Sequence, residues 1–79
     1  MSAQVARMKR RDPRKISDTE FESAVREAAK GSNTPPEVTR RIEEEFSPAP
    51  MVLSVKEMGM QWEVFLKILD RHHTIICNR

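Results

Sequence analysis

The chain has 79 residues, of which 38% are apolar and 33% charged, and this balance predicts one small folded domain. Its single cysteine, Cys77, excludes an internal disulfide, and no apolar run approaches the ~20 residues needed to span a bilayer. We therefore expect a protein of the cytoplasm, the nucleus or the interior of a host cell, and not a secreted one.

The net charge of +2 conceals an uneven distribution of charge along the chain. Residues 1–15 carry six basic and one acidic side chain, a net charge of +5, whereas residues 16–79 carry eight basic and eleven acidic ones, a net charge of −3. We divide the chain into a basic N-terminal arm, residues 1–15, and a single small helical domain, residues 16–79. The basic side chains of the arm are Arg7, Lys9, Arg10, Arg11, Arg14 and Lys15.

The first predicted helix covers about residues 18–30. It follows a capping box that begins at Ser17, in which the hydroxyl accepts from the amide of Glu20 and the carboxylate of Glu20 accepts from the amide of Ser17. Gly31, just beyond the pattern, suits the left-handed residue that ends many helices. The apolar residues with helical spacing are Phe21, Ala24, Val25, Ala28 and Ala29.

The second predicted helix covers about residues 35–46, after a similar box from Thr34 to Glu37. Pro35 is compatible with the first helical position, because the amide there has no partner within the helix. One side of the helix is apolar, and the other carries three consecutive glutamates. The apolar residues are Val38, Ile42 and Phe46, and the acidic patch is Glu43, Glu44 and Glu45.

The segment Ser47–Pro50 contains two prolines and predicts a stiff connection that ends this helix. A third helix is predicted over about residues 55–72, because Ser54 and Glu57 form another box and Met58, Trp62, Phe65 and Leu69 have helical spacing. One alternative places residues 51–56 in an extended segment before a helix that starts near residue 60. The β-branched residues 74–77 are a second candidate for a short strand.

These elements predict an all-α protein, a small three-helix bundle with a basic N-terminal arm. The third helix would form the centre of the core, and Trp62 and Phe65 would contribute most of the buried area.

No catalytic or metal-binding pattern is present in the sequence. A structural zinc site almost always has four ligands, mainly histidine nitrogens and cysteine sulfurs, whereas the only such residues of the chain are His72, His73 and Cys77. No glycine-rich turn or second catalytic motif supports Cys77 as a nucleophile. The consecutive glutamates Glu43, Glu44 and Glu45 fan out from a helix into solvent instead of converging on a cleft. We predict that the protein is not an enzyme and uses no metal or cofactor.

The two first helices superficially suit a helix-turn-helix, but the acidic residues of the second helix would repel phosphate. The leading hypothesis is a small regulatory protein, an inhibitor or adaptor, that binds a protein or a nucleoprotein complex. More apolar residues are present than three short helices must bury, which favours contact with a partner. These surplus residues are Met51, Val52, Leu53, Met60, Ile75 and Ile76.

Three further expectations accompany this hypothesis. The alternative function is nucleic-acid binding, with residues 7–15 as a phosphate clamp that lacks aromatic side chains for stacking on bases. A homodimer that buries the apolar face of the third helix is a separate possibility. Regulators encoded by viruses and mobile elements share this size and lack of catalytic pattern, which is an analogy only.

Overall fold

The computed structural model describes residues 11–79, which form two helices followed by a three-stranded antiparallel sheet. The helices are α1 (Asp18–Ala29) and α2 (Pro35–Glu45), and the strands are β1 (Met51–Met58), β2 (Gln61–Ile68) and β3 (Arg71–Asn78). The strand order in the sheet is β1-β2-β3. The fold is therefore α+β, and the prediction of an all-α three-helix bundle is wrong.

The two helices begin with the caps that the sequence predicts. Ser17 and Glu20 form the complete capping box of α1, and Gly31 follows the helix with φ of +81°. Thr34 accepts from the amide of Glu37 at 3.3 Å, as expected. The carboxylate of Glu37, however, accepts from the amide of Asn33 at 2.7 Å, one residue before the cap.

The predicted third helix is replaced by the whole sheet. Residues 61–68 alternate strictly, and the four buried side chains of β2 are those of Trp62, Val64, Leu66 and Ile68. This two-residue period competes with the helical spacing, and the β-branched residues on both sides favour strands. The segments 51–56 and 74–77, treated as possible extended pieces, lie inside the longer strands β1 and β3, and no helix starts near residue 60.

Two-residue connections join the three strands. Gly59 and Met60 link β1 to β2, and Leu69 and Asp70 link β2 to β3. The first residue of each connection has a positive φ, +63° at Gly59 and +54° at Leu69. Glycine adopts this conformation without steric cost, whereas leucine does so at a cost. Gly59 thus enables a tight turn.

Both helices cover the same face of the sheet, which we call the inner face. Helix α1 packs on β3, α2 packs on β1, and the helices pack on each other. The core between these layers contains Phe21, Ala24, Val25, Ala29, Val38, Ile42, Phe46, Trp62, Val64, Leu66, Ile68, Ile75 and Cys77. Trp62 is in the core, as expected, whereas Phe65 is not part of it.

The segment before α1 lies against the chain that follows α2. Arg11 and Phe46 form a parallel β-bridge, and the amide of Ser47 donates to the carbonyl oxygen of Arg11 at 3.2 Å. Pro13 is buried. A turn then leads into α1. In this turn, the side chain of Asp12 accepts from the amide of Arg14 at 3.0 Å.

Candidate binding surface

The face of the sheet opposite the helices, which we call the outer face, carries no covering element within residues 11–79. Residues opposite each other in an antiparallel pair point to the same side, so the register assigns the side chains to faces. Four rows across β1, β2 and β3 form the outer face. They are Met51–Lys67–His72, Ser54–Phe65–Thr74, Lys56–Glu63–Ile76 and Met58–Gln61–Asn78.

Phe65 lies near the centre of this surface and is half-buried, although no helix covers it. Three other apolar side chains of the outer face are more open to solvent: Met51 is 61% exposed, Met58 41% and Ile76 37%. An antiparallel sheet that only faces solvent is normally polar on that side. The outer face instead combines an aromatic centre with apolar and charged neighbours, which is the composition of a contact surface.

The charged groups of the outer face lie around Phe65. Lys67 precedes the turn to β3 and opposes His72, while Lys56 and Glu63 oppose each other across β1 and β2. At the far end of the sheet, the side-chain amide of Gln61 donates to the amide oxygen of Asn78 at 3.2 Å. The surface thus offers both signs of charge and several neutral polar groups at its margin.

Of the six basic residues predicted in the arm, Arg7, Lys9 and Arg10 lie outside the described residues. Arg11 binds the body through its Nη1, 2.5 Å from Oε2 of Glu45. Arg14 contacts Asp12 at 3.3 Å, and the backbone N–H of Arg14 is the main reason that the pKa of Asp12 lies below its ordinary value. Lys15 is exposed.

The three glutamates of the predicted acidic patch do not form one free cluster. Glu45 binds Arg11, and Glu44 pairs with Arg40, four residues earlier on the same helix, at 3.5 Å. Glu43 is half-buried. Part of the acidic patch is therefore neutralised by basic groups of the same molecule.

Arg41 lies four residues before Glu45 but does not pair with it. Its Nη1 donates to the carbonyl oxygen of Lys30 at 2.8 Å, and its Nη2 donates to Glu37 at 2.8 Å. The pKa of Glu37 is lowered, first by the amide of Asn33 and then by Arg41. Arg41 thus connects α2 to the end of α1.

The histidines and the cysteine are separated by the alternation of β3. His72 belongs to the outer face, whereas His73 and Cys77 are buried on the inner face. Burial raises the pKa of the Cys77 thiol to about 11, which disfavours the nucleophilic thiolate. Within residues 11–79, no group of three or more His, Cys, Asp or Glu side chains is arranged to hold a metal ion.

Most of the surplus apolar residues that the sequence identifies are indeed exposed. Met51, Leu53, Met60 and Ile76 are exposed, at 61%, 50%, 82% and 37%. The other two are not: Val52 is half-buried and Ile75 belongs to the core. Phe65, by contrast, is predicted from the sequence to lie in the core, on the third helix. The alternation of residues 61–68 would have placed it opposite Trp62, on the other face of a strand.

Comparison with protein-family models, curated proteins and solved structures gives no match to this chain. The described part, residues 11–79, contains no helix with the length and apolar character that a membrane crossing requires.

Proposed function

We propose that this is a non-enzymatic regulatory protein, an inhibitor or adaptor, that binds a protein or nucleoprotein partner through its outer face. The observation that carries the proposal is the central Phe65 on an uncovered sheet face, with Met51, Met58 and Ile76 exposed around it. In protein–protein interfaces, aromatic and methionine side chains are enriched and a polar rim surrounds an apolar centre.

The arrangement of polar groups supports a protein partner. Lys56, Glu63, Lys67 and His72 surround the apolar residues instead of forming a field of one sign. Mixed charges select among partners, because each incorrect partner brings like charges together. The flexible side chains of Met51 and Met58 adapt to the shape of the surface that they meet.

The proposal assigns no reaction to the outer face, where the described residues 11–79 bring together no nucleophile, base and oxyanion-binding group. His73 lies 3.3 Å from Glu22 through its Nδ1, but it is 8% exposed and packs on the ring of Phe21. The proposal also retains the cytoplasm, the nucleus or a host cell as the site of action, because the single cysteine fits a reducing compartment.

Two outer-face variants test the proposal. Phe65→Ala and Ile76→Ser each remove apolar contact area from the surface, and Ser23→Ala on α1 is an exposed control. Tagged full-length proteins would be used to isolate partners from the native host. We expect one protein to be retained by wild type and by the control but lost with both outer-face variants. Retention by all four proteins would exclude the outer face as its binding surface.

Nucleic-acid binding is the second candidate, and the position of Phe65 favours it. Single-stranded nucleic acid binds sheets by stacking a base on an aromatic ring while basic groups contact the phosphates. Phe65 has Lys67 two residues away on the same face, and Lys56 lies one row along on β1. The aromatic group that is missing from the arm is therefore present on the sheet.

A salt titration separates the two candidates. Binding to single-stranded DNA, duplex DNA and RNA would be measured for wild type, Phe65→Ala and a chain that lacks residues 1–10. Truncation ends there because Arg11 and Pro13 lie against the body. Tight binding with a steep salt dependence, lost in Phe65→Ala or on truncation, would establish nucleic acid as the target. Absence of binding at low salt would exclude it.

A further inference from the structure

Strand β1 is the most exposed of the three strands. None of its eight residues is buried, whereas four residues of β2 and three of β3 are. Val52 and Val55 point toward the core and are only half-buried, although α2 packs on this strand. Of the exposed large apolar residues, Met51, Leu53 and Met58 all belong to β1.

The two edges of the sheet differ in what secures them. Strand β3 is tied to α1, because Arg71 pairs with Asp18 and His73 contacts Glu22. Both edge strands have β2 as their only neighbour in the sheet within residues 11–79, but in this part of the chain no ion pair joins β1 to the helix that packs on it, α2. An exposed edge of this length offers a row of backbone donors and acceptors to another strand.

We infer that two copies of the chain pair through β1 in antiparallel orientation and form a continuous six-stranded sheet. A two-fold axis perpendicular to the sheet places all four helices on one side and joins the two outer faces on the other. This pairing goes beyond the proposed function, since it uses the edge of the sheet and leaves the outer face free for a partner.

The charges of β1 select the register. In such a pair, the residue on the axis faces its own copy. An axis at Lys56 or at Glu57 would oppose like charges, which is destabilising. An axis at Ser54 would leave Met58 beyond the end of the second strand. An axis at Val55 avoids both problems.

In the register centred on Val55, the side chains of the two copies complement each other. Val55 faces Val55 of the second copy, and β-branched residues pack well as cross-strand pairs. Ser54 faces Lys56 of the second copy. The register of β1 shifts between Val52 and Ser54, so Leu53 is an extra residue in the strand. When Leu53 is left out of the count, Met51 of each copy faces Met58 of the other copy, at the two ends of the paired strands.

Charge substitutions at position 54 test this register with a matched control. Ser54→Glu would place a carboxylate opposite Lys56 of the second copy, and Ser54→Lys would place an ammonium there. Thr74 lies in the same row as Ser54 but on β3, so Thr74→Glu and Thr74→Lys make the same charge changes at the other edge. Far-UV circular dichroism of the four variants would establish that each one is folded.

Sedimentation equilibrium of the full-length chain, from micromolar to millimolar concentration, gives the dimer dissociation constant. We expect Ser54→Glu to lower it and Ser54→Lys to raise it, each by about 2- to 30-fold, because every cross-strand pair occurs twice about the axis. The changes at Thr74 should have no effect. A chain that stays monomeric, or equal effects at positions 54 and 74, would overturn the inference.

Discussion

Arg11 Nη1 lies 2.5 Å from Glu45 Oε2, so a basic residue of the arm binds the acidic patch of the same molecule. The two side chains are 43% and 36% exposed, and they lie 34 positions apart in the sequence. The neighbouring bridge between Arg11 and Phe46 holds the backbone in place. One basic residue of the predicted phosphate clamp is therefore paired with the protein's own Glu45.

This ion pair should contribute little to stability. Because both partners are exposed, we expect the coupling between Arg11→Ala and Glu45→Gln to be below about 1 kcal/mol. It should shrink further at about 1 M salt, where the screening length is short. Urea titrations of the double-mutant cycle at low and high salt measure it, with Glu43→Gln as a nearby control. A coupling that salt leaves unchanged would contradict a surface ion pair.

The two tight turns should respond in opposite directions to substitution. Leu69 is 53% exposed with φ of +54°, so Leu69→Asn should raise the free energy of unfolding by up to about 1 kcal/mol. Gly59 has φ of +63° and open space where a Cβ would lie. Gly59→Ala should therefore lower the free energy of unfolding by about 1 kcal/mol through backbone strain alone. Thermal unfolding of both variants tests these opposite effects on stability. A loss of stability in Leu69→Asn would contradict the prediction for that turn.

Cys77 should make stability fall in alkaline solution. Its pKa is raised from 9.0 to about 11 in the folded chain. Below pH 9 the thiol is protonated in both states and its contribution is fully present. Between pH 9 and 11 it ionises mainly in the unfolded chain, so the free energy of unfolding falls by at most about 1.4 kcal/mol per pH unit.

Comparison with Cys77→Ala isolates this effect from the titration of lysines. Urea unfolding from pH 8 to pH 11 should show a steeper decline for wild type than for the variant. Iodoacetamide should alkylate Cys77 slowly in the native protein and rapidly in urea, because the side chain is buried. Rapid alkylation of the native protein near pH 8 would contradict the buried position.

Trp62 should be the most costly residue to truncate. It is 1% exposed, and Trp62→Ala should lower the free energy of unfolding by about 3–5 kcal/mol. Trp62→Phe should cost less, because the indole Nε1 donates to no partner within residues 11–79. Urea titrations followed by circular dichroism measure both losses. A loss below about 1 kcal/mol for Trp62→Ala would contradict its place in the core.

Arg79 should support Trp62 from outside the core. Its guanidinium carbon lies 4.4 Å from the ring centroid, and its Nη1 lies 2.6 Å from Glu57 and 3.0 Å from the carbonyl oxygen of Gly59. We expect Arg79→Ala to cost about 0.5–1 kcal/mol and to shift the fluorescence of Trp62, the only tryptophan. Arg79→Lys, which keeps the charge but loses the planar group, should recover only part of the loss. Full recovery would show that charge alone matters.

The helices were predictable from the sequence because their signals are local. Ser17 and Thr34 cap the helices in the structure as their side chains predict, and α1 and α2 end within one residue of the expected boundaries. The sheet was missed because Ser54 and Glu57 imitate a capping box, and Met58, Trp62, Phe65 and Leu69 have helical spacing. The strands pair across two-residue connections, which sequence reasoning recognises by their turn residues, and the turn at Leu69 lacks the glycine or asparagine that marks most tight turns.

The candidate surface was missed for the same reason. A helix would direct Phe65 and Trp62 to one side, three positions apart, whereas a strand directs them to opposite faces. The exposure of Met51, Met60 and Ile76 was inferred correctly from an excess of apolar residues. Their placement around one aromatic residue required the register of the sheet.

A photo-crosslinking side chain at position 76 tests the central claim, that the outer face binds a protein, most directly. The full-length chain would carry the probe at Ile76 on the outer face or at Ser23 on α1, and would be irradiated in cells of its native host. We predict one discrete protein adduct from position 76, abolished by Phe65→Ala, and none from position 23. A crosslink to nucleic acid alone, or the same protein adduct from both positions, would contradict a protein-binding outer face.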